Sequence, residues 1–207
     1  IAMLFAGRVI DKLGTKAGFT LAIILWSLGA VMHAYSLPLG TATSHVLGWI
    51  GIAAMPVSVL GFMVSRGVLA IGESGNFPAA IKATAEYFPK KERSLATGIF
   101  NSGSNVGAIL APLTVPWIAV NWGWQSAFLI IGIVGFLWMI FWLWLYKIPT
   151  RQKRLSAGEL EYINSDNEDN ATATEPLLGK EKVRWFKLLA YKQTWAFAFG
   201  KFMTDGV

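Results

Sequence analysis

Trp124 to Tyr146, WQSAFLIIGIVGFLWMIFWLWLY, contains no Asp, Glu, Lys, Arg or Pro. A helix drawn through it is apolar on every face, which a water-soluble domain tolerates only deep in its core. It has the roughly 20 apolar residues that cross a hydrocarbon layer about 30 Å thick. Ala17 to Leu37 and Ser94 to Val120 read the same way, and neither carries an acid, lysine or arginine. The whole chain agrees: of 207 residues 54% are hydrophobic and 14% charged, with a mean hydropathy of +0.48. Soluble domains run near a quarter charged, so these numbers point to a membrane protein.

Val46 to Phe88 is long for one span, and the basic residues decide how often it crosses. Arg8, Lys12 and Lys16 lie before it, Lys90, Lys91 and Arg93 after it, and Lys147, Arg151, Lys153 and Arg154 follow the last full span. Basic loops stay on the cytoplasmic side, so an even number of crossings separates each pair of clusters. Residues 17–89 then hold two crossings, the second at Val59 to Tyr87. That leaves Pro38 to Ser58 as an outer loop along the interface with Trp49 as its aromatic anchor. Loops 7–16, 88–93 and 148–192 are predicted to be cytoplasmic.

The net charge of +6 follows from this distribution. A nucleic-acid surface would interleave Lys and Arg along one element, whereas here long stretches contain neither, so no nucleic-acid partner is expected. With no cysteine and two isolated histidines, His33 and His45, neither a disulfide framework nor a metal site is expected. The chain opens on Ile1 inside one apolar run and stops at Val207 inside another, which reads as an internal piece of a longer protein with no signal peptide to interpret. After Ile148 the composition turns polar. Lys182, Arg184, Lys187 and Lys192, interleaved with Trp185, Phe186, Leu188 and Leu189, fit either an amphipathic helix on an anionic leaflet or the basic flank of the next span. Asn170-Ala171-Thr172 matches a glycosylation pattern, but a cytoplasmic loop never meets the enzyme.

Three groups of residues could carry chemistry. In Gly7-Arg8-Val9-Ile10-Asp11-Lys12-Leu13-Gly14-Thr15-Lys16, Gly7 and Gly14 permit a tight turn between two helices, and Asp11 can sit at a helix N-terminus or pair with a base. In the span holding Arg66-Gly67-Val68-Leu69-Ala70-Ile71-Gly72-Glu73, seven residues separate Arg66 from Glu73. At about 100° per residue both fall on nearly one face, roughly 10 Å apart along the axis. Ionisable groups at membrane depth are costly and persist where they line a cavity or are paired. Arg66 could bind an anion through its fork, and a desolvated Glu73 could take up and release a proton. The alternative is a structural Arg–Glu staple between helices. Asn76 extends the polar face, and Gly72, Gly75 and Pro78 would thin the helix beside a substrate. In the next span Asn101, Ser104 and Asn105 suit the hydroxyls of a polyol or serve packing. Gly103, Gly107 and Ala111 form a small-residue stripe for close helix contact, Pro112 and Pro116 should kink the outer half, and Trp138, Trp142 and Trp144 read as lipid-facing or interfacial anchors rather than a sugar-stacking platform.

The Gly7–Lys16 pattern resembles the loop between the second and third helices of the major facilitator superfamily. The runs from Gly72 to Lys82 and from Tyr87 to Ala108 are similar to the hexuronate transporters of its anion:cation symporter branch. Gly123-Trp124-Gln125-Ser126-Ala127-Phe128 fits the start of the sixth helix, with Gln125 where Arg is usual. Gly200-Lys201-Phe202-Met203-Thr204-Asp205 fits the opening of the seventh. Pro38 to Ser58 stands out as an insertion. The resemblance implies an all-α, polytopic transmembrane bundle of the major facilitator fold. Residues 1–148 would be most of its N-terminal half, 149–192 the cytoplasmic linker and 193–207 the start of the second half. It further implies a bacterial inner-membrane protein, not an enzyme, that moves an organic anion with a proton by alternating access, without other cofactor and plausibly as a monomer. Arg66, Asn76, Asn101, Ser104 and Asn105 would bind substrate, Glu73 would carry the proton, and Gly7, Asp11, Gly14, Lys16 and Arg93 would serve the conformational change.

Overall fold

The computed structural model describes residues 2–49, 55–152, 154–173 and 190–205, and every element among them is helical. In chain order these are α1 (Ala2–Leu13), α2 (Thr15–Ala34), α3 (Ser36–Trp49), α4 (Val57–Tyr87), α5 (Lys90–Trp122) and α6 (Trp124–Leu145). A 3-10 turn follows at Pro149–Arg151, then α7 (Ala157–Ala173) and α8 (Lys192–Asp205). The chain falls into two compact units, Ile1–Asp166 and Asn167–Val207. Within the second, α8 covers the expected opening of the next span; Lys182, Arg184 and Lys187 lie outside the described residues.

Four helices, α2, α4, α5 and α6, are long and apolar enough to cross a membrane. They match the four spans read from hydropathy to within a few residues, and contacts at both ends confirm their alternation. Thr15, Glu86 and Tyr146 meet at one end, His33, Phe62 and Phe128 at the other. Thr15 and Tyr146 are the basic-flanked, cytoplasmic ends of α2 and α6.

Helix α2 packs between α4 and α6, while α1 and α3 lean on α4. Few large side chains build this core. The buried positions of α2 include Gly18, Ala22, Ser27, Gly29 and Ala30, and those of α4 include Gly61, Ser65, Gly72, Gly75 and Ala79. Lipid tails are as apolar as leucine, so helices in a bilayer associate through close backbone approach. A methyl group on Gly29 would lie 2.5 Å from the backbone nitrogen of Leu69, and one on Gly72 would collide with the backbone of Trp26.

Three expectations change. Pro38 to Ser58 is not loop throughout: its residues 38–49 belong to α3 (Ser36–Trp49), whose Gly40 abuts the carbonyl of Val57, and Trp49 at the end of that helix is 97% exposed. Once the chain has left α2, local hydrogen bonding such as Leu39 N–H to the Tyr35 carbonyl at 3.2 Å continues a helix rather than a loop. Gly7 does not make the turn after α1. It lies inside that helix, and the turn uses Gly14 alone, at φ 80°, where a side chain would be strained. Gly103 and Gly107 make no close helix contact among the described residues, since a methyl on either meets nothing within 4 Å, and α5, which is continuous through Pro112 and Pro116, has no buried residue.

Candidate functional site in the open face of α4

The α2-facing side of α4 carries Leu60, Ser65, Leu69, Gly72, Gly75 and Ala79, all buried. Arg66 and Glu73 lie well round the helix from that stripe and both are exposed. Neither has a hydrogen bond or ion pair among the described residues, where the one ion pair is Lys82–Asp11. A guanidinium and a carboxylate thus stand two turns apart on one open stripe, unpaired with each other among the described residues. Beside Arg66 the stripe is hollowed by an open, largely apolar depression lined also by Ser58, Val59, Phe62 and Met63.

Asn76 is half-buried, on the border of the packed face, and its Oδ1 is buried without a hydrogen-bond partner. Such an acceptor is costly unless something supplies a donor. Gly72 and Gly75 do not face the open side. They pack on Trp26 and Ala22 of α2, so they thin α4 for its neighbour and not for a ligand.

Helix α5 runs antiparallel to α4, and the ring contact Phe77–Phe100, 6.1 Å between centroids, pins their register. Ser104 lies one turn outward from that contact on α5 and Glu73 one turn outward on α4, so they share a depth. Asn101 likewise sits level with Asn76, and Asn105 with Gly72. All three α5 residues are exposed. Ser104 donates to the carbonyl of Asn101 at 2.6 Å, leaving the side-chain amides of Asn101 and Asn105 uncommitted. The structure thus gathers an acid, three amides and a hydroxyl at neighbouring depths of two helices, with Arg66 further out.

The loop-motif residues occupy the cytoplasmic end. Asp11 pairs with Lys82 of α4 at 3.0 Å, the base-pairing option left open by its sequence. Lys16 donates to the carbonyl of Leu143 at 2.8 Å, and Arg93 donates through Nε to Phe88 and through Nη2 to Ala85, both at 2.9 Å. Both cations cap helix C-termini, α6 and α4 respectively, where the orphan carbonyls and the dipole favour positive charge.

Sequence reasoning missed the centre of this end. The Glu86 carboxylate accepts from the hydroxyls of Thr15 and Tyr146, joining α2, α4 and the end of α6. The signal was present in part: Trp138, Trp142 and Tyr146 recur every fourth residue along α6. They stack in succession, with Phe19 of α2 against the two tryptophans. Trp142 is thus packed, its Nε1 reaching the Lys16 carbonyl at 3.4 Å, rather than lipid-facing; Trp144 is 69% exposed, as an anchor should be. His33 lies at the outer end of α2, as expected, and is buried there, and no group of three or more His, Asp or Glu that could hold a metal occurs among the described residues.

Known proteins share this plan. The family model of the Major Facilitator Superfamily matches residues 1–205. The galacturonate transporter of Dickeya chrysanthemi is 38% identical over 97% of this chain and 51% of its own length. The hexuronate transporter of Escherichia coli (strain K12) is 35% identical over 97% of this chain and 41% of its own. The D-galactonate transporter of Escherichia coli O6:H1 is 27% identical over 95% and 42%. The chain thus spans about half the length of the curated relatives it matches. Bacterial relatives, apolar helices and alternating topology agree on a multi-pass inner-membrane protein, and the relatives are transporters, not enzymes. With residues 1–205 matched and the helical architecture accounted for, the chain belongs to the major facilitator superfamily.

Proposed function

We propose that the protein imports a sugar acid, foremost a hexuronate, together with a proton by alternating access. The observation that carries this reading is the open stripe of α4, which presents Arg66 and Glu73 together and unpaired. Arg66 holds the carboxylate, because a planar guanidinium stays charged and offers two parallel donors. Asn101, Ser104 and Asn105 address hydroxyls from α5, and Asn76, whose buried oxygen lacks a partner, would reach the same ligand on a change of side-chain rotamer. Glu73 takes the proton on the outer side and releases it inside, and the substrate leaves with it. Residues 1–148 act as one moving half, 149–192 as the link to a second half that begins at 193.

The relatives' names cover galacturonate, hexuronate and D-galactonate, which favours sugar acids over other anions; a galactonate-type substrate is the second reading. Uptake of labelled glucuronate by the full-length protein tests the anion site. Arg66→Lys is expected to lower uptake at least tenfold, because an ammonium is a point charge and not a fork. Near-normal uptake by that variant contradicts the carboxylate role.

A further inference from the structure

Phe62 lies one helical turn outward from Arg66, and both line the same open hollow of about 550 Å3 on α4. The other apolar residues of that hollow, Val59 and Met63, are 44% and 57% exposed. Phe62 is 37% exposed beside them, and what sets it apart is that its ring is backed by rings of two other helices. Its centroid lies 5.7 Å from Trp124 and 6.5 Å from Phe128 of α6, and 5.8 Å from His33 of α2. The support is itself rigid. His33 donates from Nδ1 to the Gly29 carbonyl at 2.6 Å, since a carbonyl can only accept, and its ring stacks on Phe128 at 4.9 Å with 11° between planes. One side of a fixed aromatic ring is thereby left towards the hollow, a turn away from an unpaired guanidinium.

A lipid-facing phenylalanine needs no such cage. A fixed apolar plane beside one cation suits a ligand with a carboxylate at one end and a flat face rich in C–H groups at the other, since binding hollows combine apolar walls with a few placed polar groups. A pyranose uronate has both features. A linear aldonate has the carboxylate but no rigid ring face to lay on an aromatic. We infer that Phe62 is a specificity-determining residue that stacks the ring of a pyranose uronate while Arg66 holds its carboxylate. This rests on the anion role of Arg66 proposed above.

The test compares initial uptake of glucuronate and of galactonate by the full-length protein in proteoliposomes. Phe62→Leu keeps an apolar wall but removes the plane, and is expected to raise the KM for glucuronate about 3- to 10-fold more than that for galactonate, the range of an aromatic contact beyond simple burial. Phe62→Tyr retains the plane and keeps the wild-type ratio of the two KM values. Trp124→Leu leaves Phe62 in place but loosens its support, and shifts that ratio the same way by a smaller factor. An unchanged ratio in both leucine variants overturns the assignment while leaving the anion site standing. Absence of uptake of either acid by the wild-type protein overturns both.

Discussion

Helix α4 has two long faces built by opposite rules. Towards α2 it is closed: small buried residues let backbones touch, and a methyl on Gly72 would strike Trp26. On the other side it is open, with Arg66 and Glu73 unpaired and α5 alongside without a single buried residue. One helix therefore splits its sequence between a face that holds the bundle together and a face left open, to which the proposed ligand site is assigned. The comparison teaches that Gly61, Gly72 and Gly75 belong to the closed face and Arg66 and Glu73 to the open one, although they are neighbours in sequence.

The sharpest way to break this comparison is to exchange bulk between the faces. Gly72→Leu forces side chain into backbone and should destabilise the protein by about 3 kcal/mol or more, seen as loss of folded protein in detergent. Gly103→Leu, on the open helix where nothing lies within 4 Å, should leave thermal stability within about 0.5 kcal/mol of wild type. Equal damage at both sites would erase the distinction.

A smaller effect is expected where the closed face ends. Glu86→Ala strands the hydroxyls of Thr15 and Tyr146 and should cost about 1–3 kcal/mol in thermal unfolding. An unchanged melting temperature in Glu86→Ala would contradict this junction. Arg93→Ala removes two caps from the end of α4 and should cost about 1 kcal/mol, read as faster amide exchange over the last turn of that helix.

The smallest effect lies on neither face. Ser156 and Glu159 form a reciprocal capping box at the start of α7: the Ser156 N–H and hydroxyl both donate to Glu159, and the Glu159 N–H donates to Ser156. Those bonds, the backbone one foremost, lower Glu159 below the ordinary carboxylate range. Its support for the helix is therefore present above that range and lost as pH falls through the lowered value. Amide exchange in the first turn of α7 should quicken only in acid, with Glu159→Gln losing the pH dependence.

The spans were legible because uninterrupted apolar runs have few alternatives in a bilayer, and basic residues marked their sides. Arg66 and Glu73 were legible for the same reason, as charges where charge is costly. Which way a glycine points was not: Gly72 and Gly75 read as thinning α4 beside a ligand, yet the position of α2 turned them inward, and that position depends on contacts far apart in sequence. The Glu86–Thr15–Tyr146 junction escaped notice for a similar reason, since its members come from three helices and none is unusual alone. For 38–58 the parity of crossings left a stretch between two spans and said nothing of its backbone, whereas packing of Gly40 against Val57 favours helix over 36–49.

The central claim is that the open face of α4 couples an anion to a proton, and Glu73→Gln tests it most directly. In the full-length protein this variant should lose uptake driven by a proton gradient while retaining exchange of labelled for unlabelled substrate, because the anion site stays whole and only the titrating group is gone. Gradient-driven uptake at the wild-type rate, or equal loss of uptake and exchange, would contradict it.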